Sequence, residues 1–278
     1  MNIYCITHKP LKEIEKLGLI PTGVGIANFP SNYTIENTGE NISHKNQYYS
    51  ETSFHYWIWK NLLPKKKDKD WFGTCQYRRY FVKKEYANKI QYDNRQQGSY
   101  EINSVENLKS ILQLKPEKEW NNYDVVLCKP WSVSNVKKMK LIKRGFRSLL
   151  KDPSIFFNKN KQTIKLHFDM SHGYGNLEKA ANLLPEKDKK DFMDYVSSKT
   201  WLIGHCIFIS KNKKLMHEFY SDLFSWLFEC EKIFGFDSDS YDTKRIYSFL
   251  TERYMPFWFE KYSKVLTWPW VYFDISKY

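Results

Sequence analysis

No stretch of this chain approaches the ~20 consecutive apolar residues of a membrane-spanning helix. Cysteine is sparse and scattered. Cys5, Cys75, Cys128, Cys206 and Cys230 are odd in number and far apart, form no CxxC pair and have no zinc-ligand spacing. Three of them sit in the apolar runs Ile3–Ile6, Phe72–Cys75 and Val125–Cys128, which reads as small buried hydrophobes in a reducing compartment. No two histidines stand at HxxxH spacing, and GxSxG, Walker A and GxGxxG are missing, which excludes the common zinc-helix, hydrolase-elbow and phosphate-loop chemistries. Zinc-finger spacing, RNA-recognition signatures and basic heptads are absent too, so nucleic acid is the weaker partner. There is no internal repeat and no long low-complexity linker. The opening Met1–Ile6 runs directly into strand-like residues without a charged leader or cleavage site, so the expectation is a cytoplasmic protein with membrane contact, if any, peripheral.

What is abundant is aromatic and basic. Of 278 residues 42% are hydrophobic and 18% aromatic, with 20 Tyr, 19 Phe and 10 Trp, enough for a substantial core and for stacking on sugars or bases. The formal net charge of +13 suits acidic small molecules, an anionic membrane surface or nucleic acid, although Lys-biased composition alone also produces such a balance. The length fits one α/β domain, residues 1–278, with an excursion around 136–160.

Along the chain, Asn2–Thr7 reads as a first strand, Leu19–Phe29 as a second strand or loop, and Trp71–Tyr80 and Tyr123–Cys128 as buried strands. Tyr48, Glu51, Thr52, His55, Tyr56 and Trp59 recur at helical steps, predicting a helix from His44 to Leu63 with Ser43 as its cap and Pro64 as its stop. Val105–Leu114 holds a short amphipathic piece. In Val136–Phe157, Lys137, Lys138, Lys140, Lys143, Arg144 and Arg147 alternate with Met139, Leu141, Ile142, Phe146, Leu149 and Leu150, the pattern of a basic amphipathic helix, either membrane-facing or an ordinary surface helix. Helices are expected at Leu177–Leu184, Asp188–Ser198, Lys214–Phe234 and Thr243–Phe259, with Trp201–Ser210 as the last core strand. A strand, a helix and further apolar strands in succession argue for an α/β sheet.

Three constellations can carry chemistry. Trp71–Phe81 starts as a buried strand and ends in Gln76-Tyr77-Arg78-Arg79-Tyr80. Ligands of open α/β sheets bind beyond the carboxyl ends of strands, and two arginines there supply forked, permanently charged donors for phosphate oxygens. Alternation along a regular strand would send Arg78 and Arg79 to opposite faces, so both serve one pocket only where the chain turns. Arg245 and Glu252, seven apart, share a helix face, with Arg253 adjoining. Glu252 reads either as a general base or as half of a helix-anchoring salt bridge. His8, His172 and His205 complete the set, each as readily a hydrogen-bonded structural residue.

In order, Thr7-His8-Lys9-Pro10, Gly39–Asn46, Glu51-Thr52, Tyr56–Asn61, Tyr77–Phe81, Tyr123–Leu127, Cys206–Ser210, Arg245 and Thr251-Glu252-Arg253 resemble a bacterial family. It is the capsular and O-antigen polysaccharide glycosyltransferase family long known only as a domain of unknown function, with some galactofuranosyltransferases among its members. The resemblance spans nearly the whole chain. It implies a GT-A-like fold, a mixed central sheet flanked by helices in a single domain, with a nucleotide-sugar donor and a glycan or lipid-linked acceptor. Thr7, His8, Lys9, Asn41, Ser43 and Lys45 would hold the nucleoside, and Gln76, Tyr77, Arg78 and Arg79 the diphosphate. Glu252, with Asp169 and Asp239 behind it, would deprotonate the acceptor in an inverting displacement. Trp131, His172, His205 and Arg245 would contact acceptor or sugar, and Trp57 and Trp59 either stack on sugars or pack the core. Family members usually read His-Tyr-Arg-Arg where this chain has Gln76, which bears on donor contacts. GT-A enzymes usually place a metal-binding Asp-x-Asp at this strand end. Here arginines stand instead, so no divalent cofactor is expected; Asp237-Ser238-Asp239 has the form but lies in a late loop. A non-enzymatic binder of anionic ligands and a phosphotransferase of cell-surface assembly are the alternative readings of the same arginines and charge.

Overall fold

The computed structural model describes residues 1–92, 98–237 and 240–278. Among the inner strands of its main sheet is β1 (Asn2–Thr7), buried along all but its first residue, as a parallel strand covered on both faces must be. It pairs in parallel with β2 (Ile20–Gly23) and β4 (Phe72–Gln76), and β2 pairs in parallel with the short β3 (Thr34–Ile35). On the other side of β4 the sheet continues through β7 (Phe208–Ser210), antiparallel to its neighbours, then β6 (Val125–Cys128) and β8 (Val265–Trp268), which run parallel to each other. The order is β8-β6-β7-β4-β1-β2-β3, with β5 (Arg79–Phe81) and β9 (Trp270–Tyr272) attached beside β4. The architecture is therefore α/β, a mixed and mostly parallel sheet flanked by helices.

One helical layer is built by α1 (Thr52–Trp57), α4 (Lys213–Phe234) and α5 (Ile246–Tyr262). In α4, Leu215, Phe219, Tyr220, Leu223, Phe224, Leu227 and Cys230 recur at three- and four-residue steps and are all buried. The Asn212 side chain accepts the Leu215 N–H at its start, and Gly235 takes φ 57° at its end. Trp59 stacks on Phe224 at 5.8 Å and Trp57 on Phe54 at 5.3 Å, so both tryptophans pack against neighbouring rings of this layer. On the other side α2 (Ile164–His172) and α3 (Glu186–Ser198) lean on α5.

Four segments depart from the local pattern. The 44–63 helix is broken: Ser50 has φ 51°, and the Asn46 amide donates to its carbonyl in place of the helical bonding there. Ser43 is not a cap; its N–H and hydroxyl both donate to Asn41 Oδ1. The strand expected at Trp201–Ser210 splits into Trp201–Leu202 and β7, with His205 (φ 73°) and Cys206 (φ 49°) turning between them, so His205 is not in a core strand. The 136–157 segment is two short helices, Lys138–Arg144 and Phe146–Lys151, parted at Gly145, where a Cβ would lie 2.8 Å from the Leu141 carbonyl oxygen. Trp268-Pro269-Trp270 joins β8 to β9, which the local pattern does not announce.

The strand expected at Trp71–Tyr80, β4, stops at Gln76 rather than Tyr80. Tyr77 and Arg78 form a two-residue turn, and Arg79 pairs back onto Gln76 as the first residue of β5. Gly73 lets β7 approach β4 closely: a Cβ there would lie 2.2 Å from the Phe208 carbonyl oxygen. Gly73→Ala should therefore lower unfolding stability by about 1–3 kcal/mol, the usual cost of overpacking, measured by urea denaturation; an unchanged midpoint would contradict this packing.

Candidate active site

Because β1, β2 and β4 are parallel, their carboxyl ends meet at one edge. Beyond that edge opens a cavity of about 530 Å³, within the range of small-molecule sites. Its basic groups are His8, which follows β1, Arg78 and Arg79, which follow β4, and Arg245, which precedes α5. Its acidic groups are Glu51, from the Ser50 break, and Glu252, from α5.

Gln76 connects the two sets. Its amide nitrogen donates to Glu51 Oε1 (2.9 Å) and to the His205 carbonyl oxygen (2.8 Å), and its oxygen accepts Arg79 Nη1 (2.7 Å). Both N–H groups and the carbonyl are engaged, which a neutral imidazole with one donor and one acceptor cannot match. The turn sends Arg78 and Arg79 to the same cavity, resolving the alternation of a regular strand. Arg78 Nε donates to Asp274 (3.0 Å), its guanidinium lies over the Tyr77 ring (4.7 Å), and its side chain stays 41% exposed. Arg79 is more enclosed, and its Nε has no hydrogen-bond partner among the described residues. Arg245 is steadied by the Tyr241 hydroxyl at 2.9 Å. Burial lowers the His8 pKa, and the charges of Lys9, Arg78 and Arg245 lower it further.

Glu252 is held in a second network. Its Oε2 accepts Arg253 Nη1 at 2.6 Å, and its Oε1 accepts the backbone N–H of His205 at 3.4 Å. Burial raises its pKa, against the pull of Arg253. Arg253 is fully enclosed and also reaches the Phe249 carbonyl oxygen, His167 Nδ1 (3.1 Å) and His172 Nε2 (3.5 Å). The salt-bridge and general-base readings of Glu252 are thus compatible: one oxygen is anchored while the carboxylate lines the cavity.

The cavity lining gathers Thr7, His8, Gln76, Tyr77, Arg78, Arg79, His205, Arg245 and Glu252 from the expected residues. Others have different surroundings. Lys9 is exposed outside the lining. Asn41 and Ser43 bond each other, and Lys45 pairs with Glu231 of α4 at 2.7 Å between the Phe228 and Phe236 rings. Asp169 pairs with Lys165 (3.0 Å) and accepts the Gly175 N–H (3.0 Å), which fastens the end of α2. Trp131 is buried beneath His205, and His172 is buried and stacks on Phe249 at 3.7 Å. Asp239 lies outside the described residues. Glu51, which the sequence places in the Glu51-Thr52 motif without a role, joins the lining; its signal is a carboxylate on the helical stripe of Tyr48, Thr52, His55, Tyr56 and Trp59.

A GT-A metal would need hard oxygen donors at the end of β4, and Gln76-Tyr77-Arg78-Arg79 does not supply them. Among the described residues no group of three or more His, Cys, Asp or Glu side chains converges. That strand end holds no carboxylate, and its one amide oxygen, Gln76 Oε1, accepts Arg79.

Beside the cavity, Glu36 supports the wall. Its carboxylate accepts the Gly25 N–H (2.8 Å) and the Ser53 hydroxyl (2.6 Å), and Ser53 in turn accepts the amide of the cavity residue Asn46 (2.8 Å). Burial pushes its pKa up to about 7, partly offset by those hydrogen bonds. The native state then holds a proton that the unfolded chain has released, so stability falls as pH rises from about 4.5 to 7, by roughly 3 kcal/mol in total. Glu36→Gln should flatten that part of the stability–pH curve, and an identical slope in both proteins would disprove the assignment.

The family profile described as "Domain of unknown function (DUF4422)" matches residues 2–264. No curated protein matches. A solved structure described as "WbbM bifunctional glycosyltransferase", in its apo form, superposes with a TM-score of 0.65 at 17% identity, over 98% of this chain and 45% of that one. The likeness is one of fold, and this chain spans less than half of that protein's length.

Proposed function

The chain belongs to the family described as Domain of unknown function (DUF4422), and on that premise we propose that it is a glycosyltransferase. It would move a sugar from a nucleoside diphosphate donor to a hydroxyl of a glycan or lipid-linked acceptor in surface-polysaccharide synthesis. The observation that carries this reading is the placement of Arg78 and Arg79 on one turn at the carboxyl end of β4, lining the same cavity as the carboxylate of Glu252. The fold shared with a glycosyltransferase supports it.

In this reading the diphosphate lies on Arg78, Arg79 and Arg245, with His8 at its edge. Glu252 takes the proton of the acceptor hydroxyl. The freed oxygen pair attacks the anomeric carbon, the bond from that carbon to the phosphate oxygen breaks, and its electron pair leaves with the diphosphate. The developing charge is met by preorganised guanidinium groups rather than a metal ion. Burial helps Glu252 as a base by raising its proton affinity, and the charge of Arg253 opposes that rise. A single displacement of this kind inverts the anomeric centre. The donor is proposed as UDP-linked, with UDP-galactofuranose among the first to test, and the activity as cytoplasmic, where the five buried free thiols stay reduced.

The test is a panel of UDP-sugars with purified protein, with and without EDTA, read by calorimetric binding and product mass. Arg78→Ala with Arg79→Ala should weaken nucleotide binding at least tenfold. Glu252→Gln should keep binding and lose ~10²–10⁴-fold in turnover, the usual share of general-base catalysis. Binding of no nucleotide at all would overturn the reading, whereas abolition by EDTA would overturn only its metal-free part.

A further inference from the structure

The paired helices Lys138–Arg144 and Phe146–Lys151 leave an unusual surface. Their inward side chains, Leu141 and the half-buried Leu149, pack with Ile155, Leu166 and Met170 in a small cluster apart from the main core. Met139 and Ile142, three apart, share a side of the first helix, and Phe146 and Leu150, four apart, share a side of the second, an apolar stripe interrupted at Gly145. That stripe faces solvent: Met139 is 62% exposed, Ile142 44%, Phe146 56% and Leu150 67%. Contiguous exposed apolar surface of this kind marks an interaction site.

The chemistry around the stripe says what covers it. Lys137, Lys138, Lys140, Lys143, Arg147 and Lys151 are exposed around it, and residues 137–151 contain no Asp or Glu. Arg147 and Lys151 are steered by the Tyr174 ring, at 5.8 and 5.4 Å. A nucleic acid would engage the cations but leave Phe146 and Leu150 without a partner. A second copy of this chain would have to bring like charges together. An anionic bilayer satisfies both halves, with apolar side chains entering the headgroup–acyl boundary and cations meeting lipid phosphates.

We propose that residues 137–151 dock the protein on an anionic lipid bilayer, lying in its surface. No described helix is long and apolar enough to cross a membrane, so the contact is peripheral. The surface communicates with the cavity through one helix: Leu166 and Met170 of α2 hold the paired helices, and His172 at the end of α2 stacks on the cavity residue Phe249. Docking would bring the cavity to lipid-linked material. The inference stands apart from the transfer reading, because nucleotide binding in solution does not require it.

The experiment is co-sedimentation of the full chain with vesicles of phosphatidylcholine alone or with 30% phosphatidylglycerol, at ~50 and ~300 mM salt. Binding is expected to the anionic vesicles only, and more weakly at high salt. The triple substitution K137Q/K140Q/K143Q should weaken it about a hundredfold, at about fivefold per cation near the surface. F146S/L150S, at exposed positions that spare the core, should weaken it at least tenfold with unchanged far-UV circular dichroism and nucleotide binding. No sedimentation with anionic vesicles at low salt would overturn the proposal. So would binding indifferent to F146S/L150S, a dimer dissociated by F146S/L150S, or duplex DNA binding tighter than vesicle binding.

Discussion

The Gln76 amide is where the site is assembled. One side chain uses both N–H groups and its carbonyl to tie three parts of the chain that are distant in sequence: the helix break at Glu51, the left-handed turn at His205 and the guanidinium of Arg79. The bond to Arg79 also faces it toward the cavity while β4 turns back into β5. Without that amide, a half-buried carboxylate, a backbone carbonyl and a cation would each need another partner, and enclosed polar groups left unpaired are costly.

A second buried group does for the acidic Glu252 what Gln76 does for the basic Arg79. Arg253 is enclosed and reaches Glu252, the Phe249 carbonyl and two histidines of α2. Removing one partner of such a buried pair typically costs 3–5 kcal/mol, because the remaining charge is stranded. The pair therefore couples the position of Glu252 to the packing of α2. The same helix carries the basic surface on its far side, so the cavity and the proposed lipid-facing patch share one rigid support.

Much of the fold was legible because its strands are short apolar runs and its long helices have clean periodicity. β1 and α4 come out within a residue of their pattern, since both bury most of their length. The failures share a cause. Ser50, His205 and Cys206 adopt left-handed backbone that only side-chain and cross-chain hydrogen bonds sustain, and local pattern reads straight through them. β8 and β9 are short and interrupted by Pro269, so they exist only because β6 and β5 present open edges to them.

The sequence by itself determined the α/β class, the basic balance, the strand ending in Tyr77-Arg78-Arg79 and the apolar stripes of α4 and of residues 139–150, because each depends on residues near one another along the chain. Only the tertiary structure decided which charged groups share a cavity. It turned Arg78 and Arg79 to one cavity by a two-residue turn, added Glu51 to the same lining, and took Asn41, Lys45, Asp169 and His172 into local bonds and packing elsewhere. The physical reason is that a buried polar group must find its partner in space, and the geometry that supplies Gln76 with Glu51, His205 and Arg79 joins segments up to 154 residues apart.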